Sequence, residues 1–260
     1  MKHKLKYVVH LMFLVLMLAC MSAQTASAAA KPPTNGWYTA ADGHKYYYKN
    51  GKMLKGWQKI SGYWYRFNGT GLMNTNCIVP SKDGLGWRYV GHDGIYCTDK
   101  AVQRAVNMVM AHSDPAKSNG KRIGEVYRYM KSKARYAYNS KKMSTAVIPE
   151  MANIYMTQLK GDCITTTCGF AYIPLVLRFN VRIQSGTCGS KTNPHTWPEI
   201  YCTDYWYIFD LSREYHPIYG KYGWYKIKAG KSYDVLYRPE KTYTVQVKKG
   251  QVVWTESKAK

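Results

Sequence analysis

From Lys100 onward the apolar positions fall at helical spacing. Val102, Ala105, Val106, Val109 and Met110 share one face of a helix predicted over 100–112, and Asp99 stands where an N-cap belongs. A loop from Asp114-Pro115 to Gly120 ends it. Ile123, Val126, Tyr127 and Met130 then mark a second helix over 121–133. Pro149 suits the first turn of a third, over 149–159, which Gly161 closes. A fourth runs from Cys163 to Arg178, with Pro174 kinking it and Asn180 as a left-handed cap. Beyond Asn180 the period shortens to two. Val181 to Thr187 reads as a strand, and His195–Tyr201 and Tyr205–Leu211 as a hairpin turning at Thr203-Asp204. Tyr222–Ile227, Ser232–Tyr237, Thr242–Val247 and Gln251–Thr255 are further short strands. Helices followed by an antiparallel sheet make an α+β domain, here spanning 98–258.

The stretch 34–96 follows another rule. Gly36-Trp37 returns as Gly56-Trp57, and Gly51-Lys52-Met53 as Gly71-Leu72-Met73, each twenty residues on. Between them lie Tyr46-Tyr47-Tyr48 and Tyr63-Trp64-Tyr65, with turn signals at Asp42-Gly43, Asn50-Gly51 and Asn68-Gly69. A degenerate third unit carries Gly86-Trp87, Tyr89 and Asp93-Gly94. Each unit reads as a short hairpin that cannot bury its aromatics alone, so stacking of units into a solenoid is expected.

Residues 1–30 have the order of a secretory signal peptide: Lys2, Lys4 and Lys6, an apolar run from Val8 to Ala19, then small residues around Ala26–Ala30. The apolar run is shorter than the ~20 residues of a membrane span, so no stable membrane insertion is expected. Export changes the meaning of the charge. The chain carries 38 Lys+Arg against 15 Asp+Glu, a formal +23. Nucleic acid is the first partner such a balance suggests; for an exported chain an anionic cell envelope fits better, and no nucleic acid partner is expected. The apolar class is led by tyrosine, 25 Tyr against 5 Phe, which favours binding faces with broad rings and polar tips. Export also permits disulfides among Cys77, Cys97, Cys163, Cys168, Cys188 and Cys202, with Cys77–Cys97 and Cys188–Cys202 as candidate local bridges.

Three pieces carry chemistry: Gly161-Asp162-Cys163, Pro194-His195-Thr196-Trp197, and Trp206-Tyr207-Ile208-Phe209-Asp210. A cysteine opening a helix meets the partial positive charge of its N-terminal amides, which favours a thiolate. A histidine on a strand can face that sulfur, and an aspartate ending the next strand can hold the other imidazole nitrogen. That arrangement is an activated nucleophile, a base and an orienter. Cys168 is a second thiol five residues on, without the Gly-Asp approach. Gln158 is a weaker candidate for a side-chain oxyanion donor. No Cys-x-x-Cys or His-x-x-x-His pair and no glycine-rich phosphate loop occurs, so no metal and no cofactor is expected.

Two resemblances sharpen this reading. The Gly-Trp, aromatic triplet, Asn-Gly and Gly-x-Met units are similar to the choline-binding or glucan-binding repeats of Gram-positive surface proteins. That likeness implies a wall-attached protein whose Trp37, Tyr47, Trp57, Trp64 and Met73 either cage a ligand or only pack the solenoid; wall choline, teichoic acid or glucan are the implied partners. Gly-Asp-Cys at a helix start, Arg178 at its end, Ser185-Gly186, His195-x-Trp197, and Trp206 with Asp210 resemble the transglutaminase-like superfamily of papain-like thiol enzymes. That likeness implies Cys163 as nucleophile, His195 as base and Asp210 as its partner, acting on protein or peptide amides. An amine acceptor would give cross-linking and water would give hydrolysis. A non-catalytic wall-binding protein on the same fold is the rival.

Overall fold

The computed structural model describes residues 31–139, 141–214, 225–229 and 237–259. The leader, residues 222–224 of one expected strand and residues 232–236 of another lie outside them. The described chain divides into two compact units, between Met53 and Leu54. The second and third hairpins therefore fold as part of the larger unit.

The first unit is a meander of β1 (Gly36–Thr39), β2 (Lys45–Lys49) and β3 (Lys52–Met53), in that order. Asn50 and Gly51 turn it with φ of 51° and 73°, the left-handed pair an Asn-Gly turn supplies.

In the larger unit β4 (Gly56–Ile60) pairs with β5 (Tyr63–Phe67), and β6 (Cys77–Pro80) with β7 (Trp87–Val90). Bridges Tyr65↔Ile95, Phe67↔Met73 and Val90↔Tyr96 knit the two hairpins together. The helices follow as read. α1 (Lys100–His112) starts where the Asp99 carboxylate accepts from Val102 N at 3.0 Å. Its apolar face is buried, and burying Val102, Val106 and Val109 contributes roughly 1.5–3 kcal/mol each. α2 (Asn119–Lys133) and α3 (Val147–Gln158) pack around α4 (Cys163–Val176), whose residues from Thr165 onward are all buried.

The sheet is antiparallel. β8 (Arg135–Tyr136) and β9 (Lys160–Gly161) form a small parallel pair outside it. Six strands then run in the order β13 (Ile227–Lys228), β12 (Tyr205–Ile208), β11 (Pro194–Cys202), β10 (Val181–Cys188), β14 (Tyr237–Lys248), β15 (Gln251–Lys258). Helices before an antiparallel sheet give the α+β class. No helix among the described residues is long and apolar enough to cross a membrane.

Several expectations need correction. Arg178, not Asn180, takes the left-handed position after α4, at φ 71°. Phe179 N donates to Pro174 O at 3.0 Å, a Schellman closure that comes two residues early because Pro174 has already loosened the last turn. The strand expected at Thr242–Val247 is longer, running from Tyr237 to Lys248, and of the strand expected at Ser232–Tyr237 only Tyr237, its first residue here, is described. Arg238-Pro239-Glu240 looked like a break. Pro239 sits instead at a bulge, where the register with β10 shifts between Ser185 and Gly186 and Glu240 is the extra residue.

All six described cysteines are free thiols. The ladders explain why. Cys188 follows the Thr187↔Pro194 pair at one end of β11 and Cys202 closes the other end, about 26 Å away at ~3.3 Å per residue. Cys77 pairs with Val90 on one side of β7, while Tyr96 bridges Val90 on the other. Cys77 and Cys97 are thus two strand spacings apart, about 9–10 Å, beyond the ~7 Å reach of a disulfide.

Candidate active site

The sulfur of Cys163 enters the site on the first residue of α4. Asp162 is the N-cap, its carboxylate accepting from Thr165 N at 3.0 Å. Asn139, from the loop after β8, clamps that cap: its Nδ2 lies 2.6 Å from Asp162 Oδ1 and 2.6 Å from Thr165 Oγ1. Gly161 is needed at this approach, since a Cβ there would stand 2.5 Å from Thr165 Cβ. The threonine run, a poor helix former by propensity, has local work. Thr165 joins the cap, and Thr167 Oγ1 donates to Thr196 O at 2.9 Å. That bond ties the cysteine helix to the residue next to His195.

His195 is buried on β11 and its Nε2 is 2.6 Å from Asp210 Oδ2. Cys163 lies close enough to the same ring to favour its protonated form. Trp197 lies nearly parallel behind His195 at 6.0 Å between centroids. Its own indole N–H is held by Glu199 Oε1 at 3.1 Å, and Glu199 is neutralised by Arg182 Nε at 2.7 Å.

Asp210, fully buried, follows β12 and opens the short helix α5 (Leu211–Glu214). It accepts from Ser212 Oγ at 2.7 Å, from Tyr237 OH at 2.7 Å and from Arg213 N at 3.3 Å, with Arg213 Nε at 3.4 Å. Tyr237 reaches it through the β14 bulge. Gly186, paired with both His195 and Pro239, admits the β14 backbone so closely that a Cβ would lie 2.0 Å from Arg238 O.

The charges follow from these contacts. Burial disfavours a charged imidazole, but the Asp210 charge, its hydrogen bond and Cys163 outweigh it and His195 is pushed up to about 9. Burial would raise Asp210; the His195 charge and the His195, Ser212 and Tyr237 hydrogen bonds hold it below its usual value instead. Tyr237 is driven upward by burial and then by Asp210, so it stays a donor. Cys168 is fully buried, which pushes its thiol far above the ordinary range, and its Sγ lies 4.0 Å from Met143 Sδ. It has no part in this constellation.

The structure thus pairs His195 with Asp210 and sets Cys163 near enough to act on the His195 ring. Gln158 is exposed and lines a separate cavity of about 590 Å³ with Tyr138, Lys160, Gly161 and Thr165. Cys163 is not among the residues lining that cavity. Sequence reasoning missed Asn139 and Tyr237. Asn139 is 23 residues from its partner, and Tyr237 depends on a bulge that only the Gly186 and Pro239 pairing announces.

The repeat residues separate likewise. Trp37 and Tyr47 meet edge to face at 5.1 Å within the first unit. Trp57 and Trp64 line one cavity of about 250 Å³ in the larger unit, with Tyr96, Ser81, Lys82, Asp83 and Arg88. Met73 is buried against Gly94 and Phe67 and is not among the lining residues. Tyr96, which follows the Asp93-Gly94 turn, was the wall not foreseen.

No protein-family model matches the chain, and no curated protein matches it. Three solved structures show local likeness. The choline binding domain of Spr1274 in Streptococcus pneumoniae is 33% identical, covering 26% of this chain and 100% of that one, at a TM-score of 0.23. A protein described as "a Putative Cysteine Protease from Cytophaga hutchinsonii" is 16% identical, covering 50% of this chain and 42% of that one, at a TM-score of 0.37. The modular autolysin LytC from Streptococcus pneumoniae is 23% identical, covering 24% of this chain and 19% of that one, at a TM-score of 0.13. This chain thus spans less than half the length of the latter two, and its chemistry has to be read from its own residues.

Proposed function

We propose that the protein is a secreted, envelope-associated thiol enzyme of the transglutaminase-like kind, acting on the amides of proteins or peptides, with its aromatic hairpins serving as the attachment module. One observation carries the enzyme reading. A half-buried thiol at a helix N-terminus lies close enough to an imidazole to favour its charged form, and that imidazole's Nε2 rests on a buried, fully engaged carboxylate.

The steps follow from those positions. The Cys163 thiolate attacks the amide carbonyl, the C–S bond forms, and the oxyanion meets the Cys163 and Ile164 amides. Protonated His195 gives its proton to the departing nitrogen as the C–N bond breaks, leaving a thioester. An incoming amine or water then loses its proton to neutral His195 and releases Cys163. Asp210 keeps the ring oriented throughout and steadies its positive state. Buried and saturated with donors, it has no other task.

The test is incorporation of a fluorescent primary amine into casein, run beside release of ammonia. Incorporation lost in Cys163→Ser supports acyl transfer to amines. Ammonia, or new α-amino groups from cleaved peptide bonds, without incorporation and equally dependent on Cys163, supports hydrolysis. Neither product from well-folded protein returns the chain to the class of wall-binding proteins without activity.

A further inference from the structure

The Trp57–Trp64–Tyr96 cavity differs from an open cage for a cation. Lys82 Nζ already sits 4.7 Å above the Trp64 ring, on the electron-rich face a ligand cation would need. Arg88 lines the same cavity. Among the described residues neither Lys82 nor Arg88 has an ion-pair partner within 4.0 Å. Asp83, the one acidic wall residue, accepts from Ser81 Oγ and from Leu85 N at 3.0 Å in its own loop; Arg88, which donates to Trp87 O at 2.9 Å, is near enough to favour its charge but makes no ion pair with it. Trp57 and Tyr96 meet edge to face at 5.8 Å, with the Trp57 indole N–H held by Pro80 O at 2.9 Å, so the aromatic wall is fixed in place.

Two cations and one committed carboxylate leave the cavity with an excess positive charge. An organic ammonium would have to displace Lys82 and then lie beside Arg88. A ring with an anionic substituent would meet aromatic faces with its body and Lys82 and Arg88 with its charge. The volume of about 250 Å³ suits a single ring rather than an extended ligand. The strong positive balance of the whole chain would draw the same kind of polymer toward it.

We propose that this cavity binds an anionic pyranose, a sugar ring carrying phosphate or carboxylate, in preference to a quaternary ammonium. The proposal rests on the attachment reading above and narrows it to one ligand class; it is independent of the thiol chemistry. The experiment is a titration of the whole secreted chain followed by the Trp57 and Trp64 indole N–H signals, assigned with Trp57→Phe and Trp64→Phe. The probes are glucose 6-phosphate, glucuronate, methyl glucoside and choline. The expected result is that both anionic sugars shift these two signals, bind about tenfold more tightly than methyl glucoside, and weaken with added salt. Choline should bind most weakly. Comparing the two anionic sugars separates phosphate from carboxylate as the source of the charge. Lys82→Ala combined with Arg88→Ala should erase the preference for the charged sugars while the indole signals stay dispersed; Lys82→Arg should retain it. Choline binding more tightly than the anionic sugars, or no response of these indoles to either sugar, overturns the proposal. Binding to isolated Gram-positive walls, measured in parallel, separates the two levels. Wall binding without a sugar response overturns the ligand class alone, and loss of both overturns the attachment reading as well.

Discussion

The thiol site and the aromatic cavity each gather charge and rings, and they spend them oppositely. Around Asp210 every charge is buried and answered inside the protein, by His195, Ser212, Tyr237 and Arg213. Around Trp64, Lys82 stands exposed over the ring and Arg88 lines the same cavity, neither with a carboxylate within ion-pair distance among the described residues. A closed network fixes one geometry and displaces protonation equilibria, which suits bond-making. An open one keeps its charges for a partner from outside. The difference predicts that mutations in the first region change chemistry and stability together, while those in the second change binding alone.

The sharpest break of that contrast is at the imidazole. His195→Ala should lower amide turnover by about 10²–10⁴-fold, the span of a lost general acid–base, measured as amine incorporation into casein. Asp210→Asn comes next. It leaves His195 and Arg213 facing a neutral group in a buried site, and breaking such a pair costs about 3–5 kcal/mol, readable as a lower urea midpoint. Lys82→Ala should leave both readouts unchanged.

Tyr237→Phe sharpens the comparison at smaller cost. The lost bond to a charged acceptor is worth about 1.5–3 kcal/mol. Because the hydroxyl favours the charged form of Asp210, the variant should move the acid limb of the pH–rate profile upward; a residue that only fills space would leave the profile in place. Stability should also fall as the medium turns alkaline. His195 is raised from 6.5 to about 9 in the folded state, so its contribution is complete below pH 6.5 and disappears as pH climbs through 9. Urea midpoints at pH 6 and pH 9.5 check the sign, and His195→Ala should flatten the difference. Thr167→Val, which cuts the bond from α4 to Thr196 O, is expected to cost about 1 kcal/mol and to slow turnover only modestly.

The sequence was most readable where one residue decides one local outcome. Asp99 announced α1 because a carboxylate before an apolar helical stripe has few other uses. Thr203-Asp204 announced the hairpin between β11 and β12, with Thr203 at φ 60°. Gly161-Asp162-Cys163 foretold a helix opening at the cysteine. What stayed hidden depends on pairs distant in the chain. Pro239 reads as a strand breaker until Gly186 is known to face it, and only then does Tyr237 turn toward Asp210. Asn139 reads as a loop residue until Asp162 is beside it. The cavity beside Trp64 needed Lys82 and Tyr96, which lie outside the repeat pattern. Cys77 and Cys202, half-buried thiols that invited pairing, are kept from their suggested partners by strand geometry that spacing alone does not reveal.

The central claim is that Cys163 is activated by its partners rather than by mere exposure. The direct measurement is the rate of iodoacetamide alkylation of each cysteine against pH from 5 to 10, resolved by peptide mass spectrometry, in the parent chain and in His195→Ala. The account predicts that at pH 6 Cys163 reacts well ahead of the half-buried Cys77 and Cys202, that a second change in its rate appears near pH 9 as His195 loses its proton, and that His195→Ala removes both features. A Cys163 that reacts only above about pH 8, alongside the other accessible thiols and indifferent to His195, would contradict it.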